Sequence, residues 1–113
     1  MLTLLIDDLR SFTDDRAALI ARTSAEGIAL LERHRGARID ELWLDHDLGG
    51  TDTSWPVVEV LERAAFEGAP FDVGVVYVHS ANPPGVARLV GTLRRWGYDV
   101  RAVPGSPAVW YPG

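Results

Sequence analysis

Three short apolar runs in this chain each end in a cluster of polar, chemistry-bearing side chains, and segments of helical periodicity lie between them. Leu2 to Ile6 runs into Asp7-Asp8, Ile39 to Leu44 into Asp45-His46-Asp47, and Val73 to Val78 into His79-Ser80-Ala81-Asn82. Runs of this length read as buried strands. Val73 to Val78, the most hydrophobic, has the pattern of a central parallel strand covered on both faces. From Ser24, residues Ala25, Ile28, Ala29 and Leu31 recur at helical spacing. Glu26 falls in the first turn, Arg33 and His34 near the end, where His34 is expected to be exposed, and Gly36 is the stop. A second helix is predicted from Ser54, with Pro56 in its first turn and Val57, Val60, Leu61, Ala64 and Ala65 as its buried stripe. A third follows Gly85 and carries Val86, Leu89, Val90, Leu93 and Trp96. Ala17 to Arg22 reads as a short strand, Tyr98 to Val103 as a last parallel strand, and Ala108 to Tyr111 as a short edge strand with Trp110-Tyr111 a packed tail. Residues 7–16 read as loop. Strand-helix alternation of this kind predicts an α/β fold with a parallel sheet and helices on both faces.

Composition narrows the class. At 113 residues a single domain spanning 1–113 is the expectation, since two would each be too small to bury a core. The balance of 11 basic and 16 acidic residues, a net charge of −5, argues against coating duplex nucleic acid. All the basic residues are arginine, so no mechanism can use a lysine. The absence of cysteine excludes disulfides, thiol catalysis and thiolate-held zinc. No apolar run has the length of a membrane span, and Met1 to Ile6 lacks a basic leader, so a cytoplasmic protein with no membrane partner is expected.

The three polar clusters sit at strand ends, and in open α/β sheets ligands bind outside the carboxyl ends of the strands. If the strands are parallel neighbours, Asp7, Asp8 and Asp45 bring three carboxylates together. Such charges repel unless a proton or cation intervenes. A hard divalent cation resolves this, with Mg²⁺ the first expectation and Mn²⁺ the alternative; otherwise one or two of the acids cap loops. His79, directly after the most buried strand, suits proton transfer near neutral pH, or else hydrogen-bonds a loop carbonyl. His46 is expected to point away from Asp45 and Asp47 by strand alternation, and either assists at the site with Asp47 or packs against a helix. Asn82-Pro83-Pro84-Gly85 opens a helix whose N-terminus can receive an anion. Arg88, placed in its first turn, either clamps a phosphate or is solvated. Ser80 is a hydroxyl for a phosphoryl oxygen or a loop hydrogen bond. Gly49 and Gly50 with Asp52 read as a mobile flap, Trp55 as a wall or a helix-start anchor, and Trp43 and Trp96 as core.

The arrangement resembles the receiver domain of two-component response regulators, which places an acidic pair after its first strand, a phosphoacceptor aspartate after its third and a Ser or Thr after its fourth. Asp7-Asp8, Asp45 and Ser80 fall on those positions in order. The family's lysine before a proline after the fifth strand is absent: Val103 precedes Pro104 here. A closer resemblance is to the cyclic-phosphate processing receiver-like domains. It rests on Ile6-Asp7-Asp8-Leu9-Arg10, Arg22-Thr23 with Ile28 to Leu31, Leu44-Asp45-His46-Asp47-Leu48-Gly49 and His79-Ser80-Ala81-Asn82-Pro83-Pro84-Gly85, and covers about residues 2–90. The resemblance implies a small three-layer, receiver-like (flavodoxin-like) fold. Its five-stranded sheet would be mostly parallel, with the first and last helices reduced or absent. It also implies a metal-dependent site acting on cyclic phosphates, on nucleotides or RNA ends.

The leading expectation is a small phosphoesterase. Asp7, Asp8 and Asp45 hold the cation, His79 acts as general acid or base with Asp47 or His46 assisting, and Ser80, Asn82 and Arg88 hold the phosphate. The alternatives are an atypical receiver that accepts a phosphoryl group on Asp45 and a module that binds a phosphorylated ligand without turnover.

Overall fold

The computed structural model describes residues 1–103 and the backbone of residues 110–112. Its elements, in chain order, are β1 (Thr3–Ile6), β2 (Arg10–Phe12), β3 (Leu19–Ala21), α1 (Ser24–Arg33), β4 (Ile39–Asp45), α2 (Trp55–Phe66), β5 (Val73–His79), α3 (Pro83–Arg95), β6 (Val100–Ala102) and β7 (Trp110–Pro112). Five of the strands form a wholly parallel sheet in the order β3-β1-β4-β5-β6, and β2 pairs antiparallel with β7 in a separate ribbon. Counting only the sheet strands along the chain, this is the flavodoxin-like order, with its switch point between β1 and β4. Ala17 to Arg22 thus contains a strand, and the stretch read as loop contains β2. The last parallel strand is shorter than its apolar pattern suggested. The final strand leaves the main sheet to pair with β2. Ala108 and the side chains of Trp110 and Tyr111 lie outside the described residues.

The helices do not cover both faces of the sheet. Leu4, Ile6, Leu42, Leu44, Val76 and Val78 join Leu31, Val57, Leu61, Leu89 and Leu93 of the three helices in one core. Right-handed crossovers explain this. The three helical connections, β3 to β4, β4 to β5 and β5 to β6, all step the same way across the sheet, so all three helices fall on one face. Only the β1-to-β3 connection steps the other way, and residues 7–18 are too few and too polar for a helix. The third layer is the β2–β7 ribbon. Phe12 of β2 sets its ring edge-on to Trp43 at 5.3 Å between centroids, and Trp43 stacks on Tyr77 at 4.3 Å. Trp43 is buried there, but Tyr77 and Val75 are only half-buried, so β5 is not fully covered on that face.

Side-chain caps fix α1 and α3, whereas Ser54 stands at the N-cap of α2 without a side-chain cap bond, and Pro56 supports that first turn. Thr23 caps α1, accepting the Glu26 amide at 3.1 Å, and Glu26 answers by accepting the Arg22 amide at 2.9 Å. His34 ends that helix half-buried, its Nδ1 2.9 Å from the Leu30 carbonyl, and so is not the freely exposed residue expected. Asn82 caps α3 with its side-chain oxygen on the Gly85 amide at 3.1 Å, and Pro83 and Pro84 preset the first turn. The helix therefore begins at Pro83, which moves Arg88 into its second turn. Trp96 is half-buried at the far end of α3 and donates to Glu62. No helix among the described residues is long and apolar enough to cross a membrane.

Candidate functional site

Side chains alternate across a strand, and here the alternation sorts core from chemistry. With Leu4 and Ile6, Leu42 and Leu44, and Val76 and Val78 facing the helices, the intervening positions face the ribbon. Asp7, Asp45 and His79 continue those intervening positions. The register aligns Ile6 with Leu44 and Asp45 with His79, so the three stand in one row across β1, β4 and β5. Each offers a ligand atom within 4.8 Å of the other two. The row crosses the switch point of the sheet.

Asp7 and His79 are fully buried. His79 Nε2 lies 2.8 Å from Asp7 Oδ2, and Asp7 Oδ1 accepts the amides of Leu9 at 2.9 Å and Arg10 at 2.8 Å. Burial pushes the Asp7 carboxyl up, but these hydrogen bonds and the His79 ring outweigh it and hold the group below its usual range. An ionised Asp7 is an acceptor only, so Nε2 of His79 carries the hydrogen between them. Asp45 is half-buried and shifted the opposite way. Burial and the neighbouring Asp7 charge raise it to about 6, with Asp8 adding to the effect and His79 opposing it.

Asp8 lies outside the converging trio. Its Oδ2 is 3.1 Å from where a Cβ on Gly49 would stand, and Gly49 has a φ of +88°. A side chain at Gly49 would be strained and would crowd Asp8. The loop that carries Gly49 is not a mobile flap. Leu48 is buried, the Leu48 amide donates to Asp52 O, and Asp47 pairs with Thr53 across the turn. Asp52 then accepts from both the amide (2.9 Å) and the hydroxyl (2.6 Å) of Ser24, which fastens the loop to the start of α1.

His46 differs from the alternation argument. The strand ends at Asp45, so alternation does not extend to Asp47, and His46 Nδ1 lies 2.9 Å from Asp47 Oδ1. The buried imidazole packs against the first turn of α3, where a Cβ on Gly85 would come within 2.6 Å of it. Asp47 is exposed, and its Oδ2 accepts from Ser80 Oγ at 3.4 Å. Ser80 Oγ in turn accepts the Asn82 amide at 3.2 Å.

The start of α3 is not an open anion site. Pro83 and Pro84 have no amide hydrogen, Gly85 donates to Asn82 Oδ1, and Val86 donates to the Asn82 carbonyl. Arg88 is exposed, with its guanidinium carbon 5.3 Å from the centroid of Trp55. Trp55 is half-buried against the core as a helix-start anchor.

One contributor was not singled out from the sequence. Arg22, at the end of β3, donates to the carbonyls of Asp7 (3.2 Å) and Arg10 (2.6 Å) and to Ser11 Oγ (3.1 Å). It braces the turn that presents Asp7 and Asp8. Its sequence signals are its place before the Thr23 cap and its part in the Arg22-Thr23 motif of the family resemblance, neither of which gave it a role.

A family model described as the cyclic-phosphate processing receiver domain matches residues 2–95, from β1 to the end of α3. No curated protein and no solved structure matches the chain.

Proposed function

The chain belongs to the cyclic-phosphate processing receiver domains, and from that premise we propose that it is a divalent-cation-dependent phosphoesterase that opens a cyclic phosphate ester. The observation that carries the reading is the convergence of Asp7, Asp45 and His79 at the sheet's switch point. Two carboxylates that close, one of them pushed up to about 6 by burial and by its neighbour's charge, are a donor set that a cation would relieve.

The donors fit such an ion. Carboxylate oxygens of Asp45 and Asp7, with Asp8 beside them, suit Mg²⁺, with Mn²⁺ the alternative. A bound cation would polarise a phosphoryl oxygen and lower the pKa of a water.

The chain's own residues do the rest. His79 is fully buried and hydrogen-bonds Asp7, which it orients. Asp47 is the exposed acid at the rim, steadied by His46 and in contact with Ser80. In this reading it takes the proton of an attacking water. The water oxygen bonds to phosphorus, one P–O ester bond breaks, and its oxygen takes up a proton. The product is a phosphomonoester with a free hydroxyl. Asn82 spends its side-chain oxygen on the helix cap, which leaves its side-chain NH₂ to donate, while its backbone amide donates to Ser80 Oγ. Arg88 supplies the positive charge on the α2–α3 side of the rim.

The test is ³¹P NMR of a 2′,3′-cyclic nucleotide with the protein, with and without EDTA. Conversion to a monoester that stops with EDTA and in Asp45→Asn is expected. Identical null results for the wild type and Asp45→Asn across a broad phosphoester panel would overturn the reading. A phosphoryl adduct on Asp45 after acetyl phosphate treatment would favour the receiver alternative. Saturable binding without product would favour a sensor.

A further inference from the structure

A cyclic phosphate ester ties its phosphorus to two oxygens of one organic group. A ligand whose phosphate sits at the acidic rim therefore carries that group within a few bonds. Ser80 stands at the end of β5, one strand over from Asp45, a spacing of about 5 Å. From Ser80 a groove of about 360 Å³ runs down between α3 and β6. Its walls are Pro83, Val86, Ala87 and Val90 of the helix and Ala102 and Val103 at the sheet edge, and among the described residues Ser80 is the polar one that lines it. By contrast, the groove of similar size between α1 and α2 is lined by Glu32, Arg35, Glu59, Arg63 and Glu67.

Resting on the phosphoesterase reading, we infer that the α3–β6 groove receives the nucleobase of a nucleoside cyclic phosphate whose phosphate lies at the rim beside Ser80 and Asp47. Three observations select that occupant. The groove is continuous with the site through Ser80, which contacts Asp47 at one end and lines the groove at the other. The lining is uncharged among the described residues, which disfavours a second phosphate or a polyol, whose hydroxyls would lose their water without new partners. A volume of about 360 Å³ is enough for a single base. The apolar walls offer contact to the face of a base, and among the described lining residues no polar group beyond Ser80 reads its edge. The groove therefore accepts purines and pyrimidines alike, because every base has such a face.

The experiment compares three ligands that share the five-membered cyclic phosphate: adenosine 2′,3′-cyclic phosphate, uridine 2′,3′-cyclic phosphate and glycerol 1,2-cyclic phosphate, which has no base. Affinities are read from amide-shift titrations at low temperature in Mg²⁺, before turnover. Ala87 is exposed on α3, so Ala87→Trp and Ala87→Glu fill or charge the groove without disturbing the core. Both nucleotides are expected to bind about 10-fold or more tightly than the glycerol ester, with shifts at Val86, Ala87 and Val103 that the glycerol ester does not cause. Both variants are expected to erase that advantage and leave the glycerol ester's affinity unchanged. Equal affinity for all three, or a preference that survives both variants, overturns this inference and leaves the phosphoesterase reading standing. Failure of every cyclic phosphate to bind overturns both.

Discussion

His79 hydrogen-bonds Asp7 over the strand that separates them: Nε2 lies 2.8 Å from Oδ2, while β4 and its Asp45 run between β1 and β5. The bond closes over the middle of the row and holds two fully buried polar groups in one geometry. Asp45 is left as the member of the row that reaches solvent.

Breaking this pair strands a carboxylate in the interior. Removing one partner of a buried pair is far costlier than never having made it. His79→Leu is expected to lower stability by about 3 kcal/mol, read as a shift of the urea midpoint at pH 7. An unchanged midpoint would show that Asp7 finds equivalent partners.

Asp45 and Asp7 give opposite pH dependences. Asp45, raised to about 6 in the fold from 3.8, binds its proton more tightly when folded. Its contribution is full below about pH 4 and is lost as pH rises through about 6. Asp7, held below 3.8, contributes above that value, and its share is lost as pH falls through the folded value. Asp45→Asn should therefore be more stable than the wild type at pH 7.5, by about 1–2 kcal/mol once its partial exposure is allowed for. The difference should vanish near pH 4. Thermal melts at the two pH values check this, and a gap that does not change with pH would contradict it.

Gly85 is required by a neighbour rather than by its own backbone. A Cβ there would stand 2.6 Å from His46 Cδ2. Gly85→Ala should push the imidazole away from Asp47 or lift the first turn of α3, at a cost of about 1–3 kcal/mol. A crystal structure of the variant with His46 unmoved, or an undiminished melting temperature, would refute the assignment.

The Asp52 contact to Ser24 satisfies an otherwise orphaned amide at the start of α1. Asp52→Ala should cost about 1 kcal/mol, the usual worth of such a cap. Amide exchange of Gly49, Gly50 and Thr51 should rise with it. Exchange that stays at the wild-type level would show that the turn is held by Leu48 and its backbone bonds alone.

Much of the site was legible because strand ends announce themselves. The apolar runs before Asp7, Asp45 and His79 fixed their position on the chain, and period-two alternation places residues seven, forty-five and seventy-nine on one face once the register is known. The register and strand order were not readable, since they depend on crossovers that no local pattern encodes. The one-sided helix layer was equally invisible to local pattern, and only the family resemblance, which implied reduced or absent first and last helices, pointed to it. Pro83 and Pro84 did carry a readable warning that α3 would have few free amides. The Asp52–Ser24 contact and the seat of His46 on Gly85 left no local trace, because each joins segments that meet only in the finished fold.

The pairing of Arg10 with Pro112 and of Phe12 with Trp110 has a consequence for how the molecule comes into being. β2 follows Asp7 and Asp8 directly, yet its partner strand emerges from the ribosome only after all five sheet strands. During synthesis the acidic turn must wait, with one side unclosed, while everything between is made. Contacts of such long sequence separation form late and slowly. Closure of the ribbon is thereby tied to residues 110–112, and a nascent chain stalled before residue 110 would hold the sheet without it.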